Sequence, residues 1–172
     1  QYTFFEKKGI GFIRHKSPFC EETREALIKT FHELNLKFHN NGVYVCTQGP
    51  RLETAAEINK YKISGGDLVG MTLVPETFLA RELEMCYAPI CYLTNFAEGI
   101  SDRPFKKGEL FEGMINNDEQ KKASSSCKRF PVIIRKSIEL IQNLERNCSC
   151  KNALLRYKED GIISEDWRSW IQ

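Results

Sequence analysis

Three short segments of this sequence combine residue types that could do chemistry. In Gly49-Pro50-Arg51-Leu52-Glu53-Thr54 a Gly-Pro turn stands between a strand-like run and a helix-like run, and it presents a carboxylate. That junction is a common ligand position in α/β proteins. Its plain alternative is a tight turn with an acid near a helix N-terminus. In Gly70-Met71-Thr72-Leu73-Val74-Pro75-Glu76 a hydroxyl and backbone amides precede a helix start, a setting suited to an anion such as phosphate. The alternative there is a capped helix with a core methionine. In Leu93-Thr94-Asn95-Phe96-Ala97 the Asn95 amide offers one acceptor and two donors, enough to read a hydrogen-bonding edge bidentately. An asparagine at a strand end is otherwise an ordinary turn residue.

The seven cysteines are Cys20, Cys46, Cys86, Cys91, Cys127, Cys148 and Cys150. Most stand in apolar surroundings, where a thiol behaves as a small hydrophobe. Only Cys148-Ser149-Cys150 has the look of a motif. It lacks zinc-finger spacing, and the sequence shows no second pair at a ligand-like distance. A redox or metal module is therefore set aside for want of ligands, leaving an incidental pair or a disulfide, in a chain assigned to the reducing cytoplasm.

These segments must be positioned by secondary structure, and the hydrophobic pattern alternates between periods of two and 3.6 residues, the α/β signature. Gly11 to His15 reads as a short strand. Pro18 to Leu36 contains a helix, with Glu21 and Glu22 in its first turn and Leu27, Ile28, Phe31 and Leu34 at helical spacing. Val43 to Thr47 is a strand, Glu53 to Ile63 a helix stopped by Gly65-Gly66, and Leu68 to Met71 a short strand. A helix runs from Pro75 towards Met85, with proline in its first turn. Ala88 to Thr94 reads as a further apolar strand and Phe96 to Lys107 as loop. The polar stretch Asn116 to Ser126 suggests a mobile segment or a broken helix. Arg129 to Arg146 resumes helical periodicity, with Pro131 in its first turn and Val132, Ile133, Ile138 and Ile141 facing the core. The tail carrying Trp167 and Trp170 has no clear pattern.

A chain of 172 residues that is 41% hydrophobic can bury a real core. Its net charge of +2, with acids mixed among the lysines, argues against a nucleic-acid binder. No apolar run approaches the length of a membrane span, and no signal peptide is visible.

Taken in order, Tyr44-Val45-Cys46-Thr47-Gln48-Gly49-Pro50-Arg51-Leu52-Glu53-Thr54-Ala55-Ala56-Glu57, Gly70 to Glu76, Leu79-Ala80-Arg81-Glu82, Cys86-Tyr87-Ala88 and Thr94-Asn95 closely resemble the purine nucleoside phosphorylase and methylthioadenosine phosphorylase family, of trimeric type. Tyr2 to Phe5 and Pro18-Phe19-Cys20 resemble it too. The resemblance covers residues 1–146, as the C-terminal part of a phosphorylase domain, followed by a tail over 147–172. It implies an α/β fold with a central mixed β-sheet flanked by helices. The family's glycine-rich first strand-loop and its Arg-His phosphate segment have no counterpart here. The expectation is thus a chain lacking its first strands, a fragment to which the initial Gln1 also points, and inactive without the missing half.

The resemblance implies cleavage of purine nucleosides by phosphate to free purine and ribose 1-phosphate, with no metal or organic cofactor and phosphate as co-substrate. Asn95 would hydrogen-bond the purine N7 and 6-substituent, and Glu53 would bind the N1–H side. Leu52 would lie on the purine face beside Gly70, Met71 under the ribose and Tyr44 near the sugar. Thr72 would donate to phosphate, and Phe12 would be lent to a neighbour's sugar pocket in a homotrimer. Adenine-selective members place acids at the positions of Asn95 and Ala97; both are neutral here, which favours 6-oxopurines. Leu52 replaces a stacking phenylalanine, and Lys107 falls near a histidine that reaches the ribose 5′-hydroxyl in 6-oxopurine enzymes. Cys148-Ser149-Cys150 resembles the Cys-x-Cys of some heat-stable relatives. The alternatives are a methylthioadenosine phosphorylase and a non-catalytic nucleoside-binding or structural remnant.

Overall fold

A computed structural model describes residues 2–102 and 116–170, so Lys107 lies outside the described residues. The elements are α1 (Glu21–Glu33), β1 (Tyr44–Cys46), α2 (Ala55–Ile63), β2 (Leu68–Gly70), α3 (Glu76–Glu82), α4 (Asn117–Ile141) and α5 (Leu155–Glu159), with 3-10 turns at Ser149–Asn152 and Trp167–Ser169. They divide into two compact units. No helix among the described residues is long and apolar enough to cross a membrane.

The first unit is assembled from three stretches of chain, 2–30, 72–89 and 140–170. Its core joins Phe5 to Leu154, Tyr157, Ile163 and Trp170, with Ile10, Ile13 and Leu83 packed around them. The tail that has no clear sequence pattern thus supplies most of this core. Trp170 can be buried because its indole N–H donates to the Ser164 carbonyl at 2.8 Å. The buried acid Glu84 accepts from the Leu154 amide at 3.0 Å and from Lys158 at 2.8 Å, so its charge is paired on both sides. Gly11 to His15, expected as a strand, is irregular. Gly11 has φ +115°, the Ile13 amide turns back to the Gly11 carbonyl, and the Gly11 and Phe12 amides donate to the Tyr157 hydroxyl instead of to a ladder.

The second unit comprises residues 31–71 and the described residues of 90–139. Here β1 and β2 pair in parallel, Tyr44 with Leu68, Val45 with Val69 and Cys46 with Gly70. This is the one sheet among the described residues, two strands where a larger mixed sheet was expected. Helix α2 makes the β1–α2–β2 crossover that parallel strands require. It starts with a capping box: Thr54 caps the Glu57 amide and Glu57 returns to the Thr54 amide at 2.8 Å. It ends at Gly65, whose φ of +87° terminates the helix as expected.

Other expectations change in this unit as well. Ala88 to Thr94 joins no ladder; Tyr92 instead sets its ring edge against Phe130 of α4, 5.4 Å between centroids. The stretch expected as a mobile segment or a broken helix is helical: residues 117–126 form the first part of the 25-residue α4, with Asn116 just ahead of it. Asn116 and Glu119 bond each other's amides, both at 2.9 Å, which fixes the helix start. Pro131 consequently lies in the helix interior, not its first turn. Ile133 and Ser137, four residues apart, form the buried stripe, while Val132 and Ile138 are exposed, contrary to the expected core face.

Candidate functional site at the strand ends

The carboxyl ends of β1 and β2 lead into the Gly49–Glu53 turn and Met71. In parallel α/β sheets this end is where ligands bind. The Thr47 amide continues the pairing by donating to the Gly70 carbonyl at 2.8 Å. Its hydroxyl donates to Glu53 Oε1 at 2.6 Å, so the strand end holds the carboxylate directly. Short bonds to an ionised acceptor are stronger than neutral ones. Glu53 is half-buried and Leu52 beside it is exposed.

Two glycines admit bulky neighbours to this end. A Cβ at Gly70 would overlap the Tyr44 hydroxyl and lie 2.8 Å from Cζ of that ring. A Cβ at Gly49 would overlap the Met71 sulfur, and Gly49 has φ +60°, a conformation costly for other residues. Tyr44 with Gly70, and Met71 with Gly49, are therefore packed together around the strand ends that hold Glu53. Arg51 braces the outside of the turn, reaching both Glu57 oxygens at 2.7 and 2.9 Å. The Arg51 guanidinium, with the Thr54 cap, draws the Glu57 carboxyl down to about 2.

Asn95 lies in the same unit, half-buried. Its Nδ2 donates to the Phe96 carbonyl at 2.8 Å, and its Oδ1 accepts from the Thr94 hydroxyl at 2.6 Å. A carbonyl accepts only from the amide nitrogen, so the Phe96 contact fixes which end of the side chain is oxygen.

Phe12 and Thr72 belong to the first unit. Phe12 is 86% exposed, an unusual state for so large an apolar ring, and it borders a hollow of about 350 Å³ with Tyr2, His15, Phe78 and Glu82. His15 sets its ring edge on Phe78, centroids 5.1 Å apart. Burial and then Arg81 hold His15 below the usual histidine range, against the pull of Glu82. Thr72 is exposed ahead of α3. The amides of Thr77, Phe78 and Leu79 are taken by the Leu73 and Pro75 carbonyls. Within α3 these amides are therefore closed to an anion, and the Thr72 hydroxyl stands ahead of them.

Sequence reasoning passed over Thr47, although it stands in the stretch quoted above. A hydroxyl at a strand's last position, with an acid just past the following turn, is the signal that would have found it. Cys20 and Cys86 had no such signal. Their sulfurs nevertheless meet those of Cys148 and Cys150 in the first unit, all four within 4.8 Å of one another. The shortage of ligands around Cys148-Ser149-Cys150 is thereby removed.

The chain belongs to the phosphorylase superfamily, whose family model matches residues 1–138. It is 47% identical over 149 residues to a 6-oxopurine nucleoside phosphorylase of Pyrococcus furiosus, covering 87% of this chain and 52% of that protein. It is also 47% identical over 164 residues to a Dictyoglomus turgidum protein named as a probable 6-oxopurine nucleoside phosphorylase, covering 94% of this chain and 58% of the relative. The chain thus spans little more than half the length of these relatives. Among solved structures, a methylthioadenosine phosphorylase from an Antarctic soil metagenomic library superposes with a TM-score of 0.73 at 24% identity, over 91% of this chain and 53% of that one. This last likeness is one of fold.

Proposed function

We propose that the protein carrying this chain catalyses reversible phosphorolysis of purine nucleosides, with 6-oxopurines preferred. The observation that carries the reading is the Glu53 carboxylate held by Thr47 at the carboxyl end of a parallel strand pair. An acceptor fixed there suits the N1–H of hypoxanthine or guanine; adenine offers a lone pair at that position and would be repelled. Two relatives named for 6-oxopurines support the same preference.

In this reading Asn95 Nδ2 exchanges the Phe96 carbonyl for the substrate and donates to N7 and the 6-oxo group as negative charge develops on the leaving purine. Donors placed in advance act most strongly where charge appears in the transition state. Leu52 and Gly70 face the base, Met71 lies beneath the ribose and Tyr44 flanks the sugar. Thr72 contributes one hydroxyl to phosphate, the co-substrate; the chemistry calls for no metal or organic cofactor. Phe12, so widely exposed, is the side chain to be lent to a neighbouring protomer of a homotrimer. The seven unbridged cysteines support a cytoplasmic setting.

The test is purine release by the intact protein with phosphate and, separately, inosine, guanosine or methylthioadenosine. Release from inosine or guanosine, with little from methylthioadenosine, is expected. Release from methylthioadenosine alone would overturn the roles given to Glu53 and Asn95. Tight purine binding without release from any nucleoside would favour a non-catalytic relative.

A further inference from the structure

Four thiols from distant parts of the sequence converge in the first unit. Cys20 immediately precedes α1, Cys86 follows α3, and Cys148 and Cys150 flank the start of the 3-10 turn at Ser149–Asn152. Their sulfurs all lie within 4.8 Å of one another, and those of Cys86 and Cys148 are 3.4 Å apart. A tetrahedral zinc with bonds of about 2.3 Å to sulfur sets its ligands about 3.8 Å from each other. The four sulfurs are thus within about an ångström of that arrangement, a shift that side-chain rotation supplies. Cys20 and Cys150 are each 3% exposed, while Cys86 and Cys148 are half-buried, so the centre is shielded yet reachable.

The surroundings also suit a charged sulfur cluster. Arg81 Nη1 donates to the Cys150 sulfur at 3.3 Å, and the Arg146 guanidinium, bonded to the Glu84 carbonyl, lies close enough to Cys86 and Cys148 to interact with them electrostatically. Arg81 Nε is buried with no hydrogen-bond partner. Four thiolates around a divalent cation carry a net charge of −2, which two guanidinium groups offset. Groups of this kind, just outside the ligands, orient and tune metal sites. Each of the three chain stretches that build the first unit contributes at least one of the cysteines, so an ion here would tie all three together.

We propose that Cys20, Cys86, Cys148 and Cys150 form a structural zinc site, a closed tetrathiolate centre with Arg81 and Arg146 as its counter-charges. Binding exchanges four thiol protons for one Zn²⁺, with no change of oxidation state. The four ligands all belong to the first unit, and the proposal is independent of the phosphorolysis reading.

The test begins with the intact protein, purified in a thiol reductant without chelator, supplied with zinc and desalted. Elemental analysis should find about one zinc per chain, as four ligands to a single ion require. Replacement by Co²⁺ should give the sulfur-to-cobalt charge-transfer and tetrahedral d–d absorption of four thiolates. Cys148→Ser and Cys20→Ser should lose the metal, whereas Cys127→Ser, at an exposed position, should keep it. Arg81→Met, which leaves all four ligands in place, should weaken zinc retention by about 10–100-fold. Should the ligand variants fail to fold, the stoichiometry and cobalt spectrum of the unaltered protein still decide. Less than about half a zinc per chain after loading would overturn the proposal, because a closed site retains its ion. So would a cobalt spectrum lacking thiolate bands, or peptide mapping that finds these cysteines joined as disulfides in the reductant-purified protein.

Discussion

Replacing Gly70 by alanine tests the packing of Tyr44 at the strand ends. The backbone at Gly70 is not in the left-handed region, so alanine is conformationally acceptable. By itself, Gly→Ala at a compatible site stabilises by about 0.4–1 kcal/mol through the unfolded chain. Against this, the new Cβ overlaps the Tyr44 hydroxyl and stands 2.8 Å from Cζ, so the ring must leave its place. Overpacking of this kind costs about 1–3 kcal/mol. The net expectation is a loss of about 1–2 kcal/mol, because the steric cost exceeds the chain-entropy gain. In a Tyr44→Ala background the obstruction is gone, and the same Gly70→Ala change should be neutral or stabilising. Urea unfolding of the four proteins closes a double-mutant cycle with an expected coupling of about 1–3 kcal/mol. Equal cost of Gly70→Ala in both backgrounds would refute the contact.

Asn95→Asp turns a donor into an acceptor and should shift preference from inosine towards adenosine or methylthioadenosine by about 100-fold in kcat/KM, as hydrogen-bonded sites discriminate strongly; steady-state kinetics on each nucleoside check it. Thr47→Val leaves Glu53 without its hydroxyl partner and should lower kcat/KM for inosine by about tenfold, the worth of one charge-assisted bond, with little change for substrates that do not engage N1. Glu57, held near 2 by Arg51, should keep the start of α2 ordered at neutral pH. A carboxyl with a depressed folded pKa stabilises above its unfolded value and loses that contribution as pH falls through the folded value. The protection of the Thr54 and Glu57 amides, measured against the intrinsic exchange rate at each pH, should therefore fall between about pH 4.5 and 2, and in Arg51→Met that loss should begin at higher pH. Lys158→Met strips the buried Glu84 of its cation, which should cost about 3–5 kcal/mol; denaturant unfolding of Lys158→Met and the double variant Glu84→Gln/Lys158→Met, where some stability should return, measures it.

What was legible in the sequence was what local chemistry determines. Thr54 and Glu57 announce the start of α2, Gly65 its end, and the β-branched run around Val45 a strand. The Asn116–Glu119 cap was equally local, yet the polar texture and serine run that follow obscured a helix whose buried face is only Ile133 and Ser137. Ala88 to Thr94 shows the opposite limit: its apolar character suggests a buried strand, yet it joins no ladder and Cys91, Tyr92 and Leu93 are exposed. In the candidate site, the types at Glu53 and Asn95 were readable. The bond from Thr47 and the overlap that makes Gly70 necessary arise only when two strands are brought together. The convergence of Cys20 and Cys86 on Cys148 and Cys150 is wholly a product of the fold, since more than sixty residues separate Cys86 from Cys148.

The composition of the first unit also bears on how the protein emerges from the ribosome. Phe5 is buried against Leu154 and Trp170, and Lys8 bonds the carbonyl of a residue 162 positions away. The N-terminal stretch must therefore wait, with its core residue exposed, until nearly the whole of this chain has been made. Meanwhile β1, α2 and β2 close their pairing over 24 residues and can form much earlier. Within this stretch of chain the order of settling is thus inverted: residues 44–70 can pair before Phe5, made ahead of them, meets its partners. Contacts of such long sequence separation form slowly, and apolar side chains left unpaired in the interval are prone to aggregate.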